Sequence, residues 1–278
     1  MIDLHCHSSF SDGTDEPEAL ALMGDAQGIT ALALTDHDTL AGLPRFLAMQ
    51  PRVSTRLLAG VELSCRYLGR ELHVLGLLFN AQDSAFQAHI RTVRARRHAR
   101  NLALVARLQE LGIAISLEAV QALATSDLVS RTHFARYLVS SGAVANPQEV
   151  YRKLLGEGGS AFVPFEELTP REAATWIHAA GGLAMVAHPG RFAGGRFIWD
   201  EAMVELKEMG IDGFEAYYGE YSPTEQRHFL KLAKDLDMLA SGGSDYHGGN
   251  KPGLRMGTGR GTLCIPDSIL ETLENARA

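Results

Sequence analysis

Short apolar runs recur along most of the chain, and helix-like segments separate several of them. The runs fall at residues 1–4, 29–34, 56–63, 71–79, 183–187, 213–217 and 238–243. They are nearly continuous rather than alternating, which is typical of strands buried on both faces of a parallel sheet. Seven strand units in one domain predict an α/β fold with a closed or nearly closed TIM-like barrel. In such a barrel the active site forms at the C-terminal ends of the strands.

The middle of the chain departs from this pattern. Apolar residues between 102 and 111 repeat at three-residue steps, and Gly112 is placed to end that helix. Residues 131–140 have the pattern of a further helix, and no strand-like run lies nearby. We therefore expect a helical insertion that covers the active site of a discontinuous barrel domain. The expected boundaries are 1–97 and 161–278 for the barrel and 98–160 for the insertion.

Composition narrows the class of protein. Hydrophobic residues make up 46% and charged residues 21%, as in an ordinary globular protein, and the net charge of −7 does not suit a protein that coats nucleic acid. Cys6, Cys65 and Cys264 show no Cys-x-x-Cys spacing, which predicts reduced thiols. Neither a signal-like segment nor a membrane-spanning run is evident. A cytoplasmic protein without a membrane partner is expected.

Candidate chemistry begins at the first apolar run, which ends in His5-Cys6-His7. Side chains alternate across a strand, so the two imidazoles project to the same side while Cys6 points away. Asp12 adds a carboxylate in the loop that follows. Nitrogen and oxygen donors without a thiolate suit zinc, manganese or iron, and they argue against a structural zinc site.

The other strand ends carry the same residue types. The candidate ligands are His5, His7, Asp12, His37, Glu62, His73, His188, Asp245 and His247. One ion needs four to six donors, so nine positions suggest two or three ions with a carboxylate such as Glu62 between them. Taken singly, His73 could be a core histidine, and Asp245 and His247 could be turn residues. Asp36 and Asp38 fit loop caps or partners of ligands better than ligands themselves. The joint placement of all nine at strand ends favours a metal site.

Five motifs, in this order, resemble those of the polymerase and histidinol phosphatase (PHP) family. They are His5-Cys6-His7-Ser8, Leu34-Thr35-Asp36-His37, Gly60-Val61-Glu62, His188-Pro189 and Gly243-Ser244-Asp245-Tyr246-His247. The resemblance spans nearly the whole chain outside the middle segment. It implies a distorted (β/α)7 barrel, in agreement with the seven apolar runs.

The resemblance also implies three metal positions. One ion would be held by His5, His7, Glu62 and Asp245, with a metal-bound hydroxide as the attacking group. A second would be held by Asp12, His37 and His247, and a third by Glu62, His73 and His188. Manganese is the expected metal, with zinc and iron left open. No ligand position is missing, which argues against a metal-free binding or regulatory module of this fold.

Within the family, the middle segment is similar to that of stand-alone phosphoesterases that act on nucleotides. Arg131-Thr132-His133 resembles their Arg-x-His helix start, although Thr132 replaces the usual proline. A helix start with these side chains could bind phosphate. The remaining candidates for substrate binding are Lys153, Arg191, Arg100 and Asn101. The arginine-rich run from 91 to 100 is otherwise typical of a solvated helix face.

The expected activity is therefore metal-dependent hydrolysis of a phosphate monoester, with a nucleoside 3′,5′-bisphosphate as the expected substrate and its 5′-monophosphate as the product. Two other enzymatic activities stay open: a 5′-3′ exonuclease acting on short 5′-phosphorylated RNA, and a histidinol-phosphate phosphatase. Neither a Gly-x-Ser-x-Gly elbow nor a Walker loop is present, so a serine nucleophile and NTP-driven chemistry are not expected. The sequence implies a small nucleotide or short RNA as the partner, and no stable protein partner.

Overall fold

Seven strands form the barrel that the apolar runs predict. The computed structural model describes residues 1–124, 129–156, 158–164, 168–192 and 199–277. Within them, neighbouring strands pair in chain order. The strands are Ile2–Cys6 (β1), Ala31–Leu34 (β2), Arg56–Tyr67 (β3), Arg70–Leu77 (β4), Leu183–Val186 (β5), Gly213–Tyr218 (β6) and Leu239–Gly243 (β7). Backbone amides of Asp245 and His7 donate to the carbonyls of His5 and Tyr246, each at 2.9 Å. The ends of β1 and β7 thus meet, and the predicted α/β barrel is confirmed.

Helices follow or precede most strands. They are Pro17–Ala26 (α1), Leu43–Leu47 (α2), Ser84–Glu110 (α3), Leu117–Gln121 (α4), Arg131–Ser140 (α5), Pro147–Val150 (α6), Pro170–Ala179 (α7), Trp199–Glu208 (α8), Pro223–Asp235 (α9) and Asp267–Arg277 (α10). The predicted helix 131–140 is confirmed at both ends. Helix α2 is short, since Pro51 has no amide proton that could extend it, and a 3-10 turn follows at Gln50–Arg52.

The prediction of an all-parallel sheet is wrong at β4. This strand pairs antiparallel with both β3 and β5, whereas the other pairs are parallel. Only Leu68 and Gly69 separate β3 from β4, both with positive φ (47° and 72°), as a tight hairpin turn requires. Two residues cannot hold the crossover that a parallel connection needs. The reversal brings the beginning of β4, with His73, to the end of the barrel where its neighbours finish.

Alternate strand residues pack into two different layers. Leu32, Val74 and Ala184 pack with residues of α1, α7, α8 and α9 in one apolar cluster. Ala33, Leu75 and Met185 belong to a second cluster, which also includes Leu270 and Leu273 of α10. Both faces of the sheet are therefore apolar, which explains why its strands appear in the sequence as continuous runs.

The chain divides into two compact units. The barrel unit comprises Met1–Ile90 and Glu167–Ala278, and a helical unit comprises Arg91–Glu166. The helical unit has its own core, in which Leu108, Phe134 and Leu138 are fully buried. The expectation that it covers the active site stays a prediction. Among the described residues, none of the helices combines the length and the apolar character needed to cross a membrane.

Candidate metal centre

All nine candidate ligands lie together at one end of the barrel. β3 continues past the end of β2, so that Glu62, in the middle of β3, pairs with His37 just after β2. His73 lies opposite Ser64 in the antiparallel ladder of β3 and β4, which places it close to Glu62. The remaining ligands lie on β1 and in the segments that follow β1, β5 and β7. Strand register therefore brings together residues that are up to 242 positions apart in the sequence.

Four of these side chains surround one point. His5 Nε2 and His7 Nε2 are 3.0 Å apart, and Glu62 Oε2 lies 3.2 Å and 3.1 Å from them. Asp245 Oδ1 completes the group at 3.5 Å from His5 Nε2 and 3.4 Å from His7 Nε2. Ligands about 2.1 Å from a tetrahedrally coordinated ion would lie about 3.4 Å from one another. The four donor atoms thus have the spacing that a single transition-metal ion requires.

A second group forms around Asp12. Its Oδ1 lies 3.2 Å from His247 Nε2 and 3.5 Å from His7 Nδ1, and its Oδ2 lies 3.7 Å from His37 Nε2. All four residues can direct one donor atom to a common point. His7 thus contributes its two ring nitrogens to two neighbouring groups.

Glu62 joins the third group to the first. Its Oε1 lies 2.8 Å from His73 Nδ1 and 3.0 Å from His188 Nε2, while its Oε2 faces His5 and His7. The side chain is 1% exposed. A buried carboxylate with each oxygen directed at a different donor group is suited to bridge two ions.

Carboxylates and imidazoles in the three donor groups shift one another's pKa values, and these shifts oppose the effect of burial. Burial opposes ionisation of Glu62, but the surrounding imidazoles of His37, His5 and His73 outweigh it and hold the pKa of this carboxyl well below its usual range. Burial likewise disfavours a charged imidazole, yet neighbouring carboxylates raise the pKa of His7 to about 9. At His37 burial prevails and lowers the pKa to about 4. His37 is therefore neutral at pH 7, which is the form that binds a metal.

The donor set fits divalent metal ions. His37 Nδ1 is buried, has no hydrogen-bond partner and lies 3.3 Å from Glu62 Oε2. A buried ring nitrogen without a partner is costly unless it binds something. Imidazole and carboxylate ligands are those of zinc, manganese and iron, and three overlapping groups leave room for two or three ions. The assignment of individual ligands to individual ions stays a prediction.

Comparison with known proteins decides the family. The model of the PHP domain matches residues 3–157, more than half of the chain. The chain belongs to the PHP family. The resemblance seen in its motifs is thereby confirmed.

Relatives that align with most of this PHP protein include hydrolytic enzymes. A 5′-3′ exoribonuclease of Haemophilus influenzae is 37% identical over 88% of this chain and 89% of its own. A 3′,5′-nucleoside bisphosphate phosphatase of Chromobacterium violaceum is 35% identical over 92% and 90%. A solved structure from Bifidobacterium adolescentis, to which metal-dependent phosphoesterase activity is ascribed, has a TM-score of 0.79 at 26% identity, over 99% of this chain and 96% of that one. The protein is a metal-dependent phosphoesterase, as its sequence predicts.

Buried carboxylates around the PHP centre hold its ligands in place. Glu215 is fully buried, and its Oε1 lies 3.0 Å from His5 Nδ1 while its Oε2 accepts the amide of His188 at 2.7 Å. Glu215 is not among the predicted site residues, although a carboxylate inside the apolar run 213–217 indicates a buried charge that needs a partner. Asp36 accepts hydrogen bonds from Ser8 and Ser11 in the loop that carries Asp12, as expected of a partner of ligands.

Arg191 is the predicted substrate-binding residue that lies at the metal centre. Its Nη1 is 2.6 Å from Tyr218 Oη, 2.7 Å from Glu220 Oε2 and 3.7 Å from Asp245 Oδ2. Lys251, which the sequence analysis did not single out, lies 2.5 Å from the same Asp245 oxygen. No motif marks Lys251, because its approach to Asp245 depends on how the segment after β7 folds.

The other five predicted substrate-binding residues belong to the helical unit. Lys153 Nζ forms an exposed ion pair with Glu149 at 2.8 Å, and Asn101 Nδ2 donates to the carbonyl of Val129 at 2.9 Å. His133 Nδ1 accepts the amide of Ser130 at 3.0 Å, at the N-terminus of α5. Arg100 is largely buried, and Arg131 is the first residue of α5. A role for these side chains in binding substrate stays a prediction.

Proposed function

We propose that this PHP protein hydrolyses a nucleoside 3′,5′-bisphosphate to the nucleoside 5′-monophosphate and phosphate. The observation that carries the proposal is the set of three neighbouring donor groups at the end of the barrel, two of which are joined by Glu62. A centre for more than one ion suits the displacement of a phosphoryl group, whose transition state spreads negative charge over several oxygens. The bisphosphate phosphatase of Chromobacterium violaceum, 35% identical, supports this substrate class.

The nine ligands would hold two or three divalent ions, with manganese as our proposal for the metal. When bound, such ions act as Lewis acids on phosphoryl oxygens and supply a nucleophile from water at neutral pH. The protein's own contribution is to fix the donors. Glu215 orients His5 and the backbone of His188, and Tyr218 donates to Asp245 Oδ2 at 2.7 Å. Rigid donors keep the site organised before the substrate arrives.

We expect cationic side chains, in addition to the metal ions, to bind the phosphates of the substrate. Arg191 lies at the metal centre and carries a planar guanidinium, the group best suited to pair with two phosphate oxygens. We assign Arg131 and His133, at the N-terminus of α5, to the second phosphate of the bisphosphate, with Arg100, Asn101 and Lys153 as further contacts. This division gives each phosphate its own cationic partners. With this division, a doubly phosphorylated nucleotide would make more contacts than a small amino alcohol phosphate.

A 5′-3′ exonuclease acting on short 5′-phosphorylated RNA is the second candidate. It is favoured by the exoribonuclease of Haemophilus influenzae, which is 37% identical to this chain. The same centre could cleave a phosphodiester if the substrate extends beyond the first nucleotide. The two candidates differ in the bond that breaks, because the exonuclease releases nucleotides and the phosphatase releases inorganic phosphate.

The test is product formation by manganese-loaded protein from adenosine 3′,5′-bisphosphate, histidinol phosphate and a short 5′-phosphorylated RNA. His5→Ala and Asp245→Asn remove predicted ligands, and Asp235→Asn, on the exposed face of α9, is the matched control. We expect rapid phosphate release from the bisphosphate that both ligand variants lose and the control retains. Release of mononucleotides from RNA as the faster reaction would favour the exonuclease. Turnover of histidinol phosphate alone would contradict both candidates.

A further inference from the structure

We propose that Lys251, together with Arg191, forms a phosphate-binding site beside the metal centre, in which the Lys251 ammonium contacts the phosphoryl group that is transferred. The inference rests on the proposed function for its substrate, but it concerns a residue outside the predicted binding set. The chemical class of the ligand is a tetrahedral phosphate dianion.

The two oxygens of Asp245 face different surroundings. Oδ1 is directed at the imidazoles, 3.5 Å from His5 Nε2 and 3.4 Å from His7 Nε2. Oδ2 accepts a hydrogen bond from Tyr218 at 2.7 Å and lies 2.5 Å from Lys251 Nζ. The carboxylate thus separates a face suited to a metal ion from a face that carries a cation. A phosphate oxygen that approaches the metal side would come close to both.

Lys251 is more than a counter-ion for a buried carboxylate. Asp245 is 2% exposed and already has the Tyr218 hydroxyl on Oδ2 and imidazoles on Oδ1. Divalent ions in the donor groups would compensate its charge, which leaves the ammonium in need of another anion. The Lys251 side chain is 28% exposed, so that a ligand entering from solvent can reach it. An ammonium on a flexible stem can move to a phosphate oxygen at little cost.

Arg191 also lies near the same carboxylate oxygen. It contacts the Tyr218 hydroxyl at 2.6 Å and lies 3.7 Å from Asp245 Oδ2. Its charge is shared with Glu220, which also pairs with Arg260 at 2.5 Å. Three cationic side chains, those of Arg191, Lys251 and Arg260, therefore lie around Glu220 and Asp245. Of these two carboxylates, Asp245 is a predicted metal ligand. The excess of positive charge in the metal-loaded site favours a dianion over a neutral or cationic ligand.

The backbone holds Lys251 close to the metal centre. The residue follows a 3-10 turn at Gly248–Asn250, in which the Gly249 amide donates to Thr14 Oγ1 at 2.9 Å. Asn250 Nδ2 donates to the carbonyl of Asp12, a predicted ligand, at 2.8 Å. Gly248 has φ 61°, and a side chain there would collide with Thr14. The segment that carries Lys251 is thus fastened to the loop that carries Asp12.

The experiment is calorimetric titration of inorganic phosphate into manganese-loaded protein. The variants are Lys251→Gln, Lys251→Arg and, as a matched control, Lys231→Gln on the exposed face of α9. Bound manganese per chain and the thermal midpoint are measured for each. Because a charge-assisted hydrogen bond is lost, we expect Lys251→Gln to weaken phosphate binding about tenfold or more. Lys251→Arg should stay within about threefold of the wild type, and manganese content should not change.

Two results would overturn the proposal. Phosphate affinity that is the same in Lys251→Gln and the wild type would show that Lys251 does not contact the ligand. Loss of manganese in Lys251→Gln would instead make the residue a support of Asp245. Titration with phosphate requires no turnover, so failure of the protein to hydrolyse a bisphosphate would contradict the proposed function and leave this inference standing. Unchanged phosphate affinity with normal bisphosphate hydrolysis would do the reverse.

Discussion

The barrel end and the helical unit use polar side chains in opposite ways. At the barrel end, nine histidines and carboxylates converge on one another, and Glu62 and His5 are almost fully buried there. In the helical unit, the Ser130–His133 cap and the Lys153–Glu149 ion pair serve local structure. A dense, buried cluster of ionisable groups has a folding cost that only a function explains. Polar groups that stabilise their own helix need no such explanation.

The barrel unit contains all of the predicted metal ligands. Within the barrel unit the donors of all three groups come from the strands and the segments after them, and Glu215 and Tyr218 hold ligands in place. The role predicted for residues of the helical unit depends on a substrate. Experiments that alter the metal centre should therefore have larger effects than those that alter the helical unit.

Removal of the metal should have the largest effect. We expect chelation to abolish phosphoester hydrolysis and re-addition of manganese to restore it. Saturation at about 100 times the dissociation constant should stabilise the fold by about 2.7 kcal/mol for each ion bound, since the ions bind only the native donors. Amide exchange should slow at the strand ends around His5 and Glu62, and it should not change in the helical core around Phe134. Full activity of metal-free protein would contradict the metal centre itself.

Glu62→Gln should have the next largest effect. The substitution removes the charge that both oxygens of Glu62 present to His5, His7, His73 and His188. We expect kcat to fall at least about a thousandfold, beyond the roughly 10- to 100-fold typical of residues that only support a ligand. Bound metal, measured by elemental analysis, should decrease by at least one ion.

A neighbouring glutamate on β4 is the matched control. Glu71 is about half exposed and lies 3.2 Å from the other ring nitrogen of His73. Glu71→Gln should lower kcat by no more than the roughly 10- to 100-fold typical of residues that only support a ligand, because its pair with His73 is partly exposed. Equal losses in the two variants would mean that the buried position of Glu62 has no special role.

How much of this centre the sequence predicts depends on how each residue is placed. His5, His37 and His188 lie at or just after strand ends, so the recognition of a strand was enough to place them. His73 is different: inside an apolar run it has the pattern of a core histidine, and only the antiparallel course of β4 brings it to Glu62. Its contribution could not be predicted from an all-parallel sheet. Its association with the other candidate ligands, and the third metal position that the family resemblance implies, rather than the run itself, marked it as a ligand.

Residues that contact a ligand but belong to no motif were harder to predict. Glu215 and Lys251 contact His5 and Asp245 across 210 and 6 positions of the chain. The first contact depends on the register of β6 against the rest of the barrel, and the second on a turn tied to Thr14. Hydrophobic patterning predicts the existence of strands but not the side-chain distances between them. The fold was therefore predictable from the sequence to a greater extent than the supports of its site.

Glu215→Gln should have an intermediate effect. A neutral amide in this position still reaches His5 and the amide of His188, but it no longer offers a charge to the imidazole. We expect metal affinity, measured by competition with a chelator, to weaken roughly 10- to 100-fold. At saturating metal, kcat should recover to within a few-fold of the wild type, which a merely unfolded variant would not do. Glu225→Gln, which removes the charge from the capping box of α9, is the control and should not alter metal affinity.

Lys153→Gln should have the smallest effect, although the sequence marks Lys153 as a substrate contact. The ammonium is already paired with Glu149 one helical turn away, and both side chains are partly exposed. A substrate phosphate must displace this partner, so its net gain is small. We expect KM for the bisphosphate to change by less than about threefold. The variant Glu149→Gln removes the charge that pairs with the Lys153 ammonium. If its KM is lower than that of the wild type, and this gain is lost when Lys153→Gln is added, then Lys153 does reach the substrate. A tenfold rise in KM for Lys153→Gln alone would mean that the helical unit contributes to binding as directly as the barrel end.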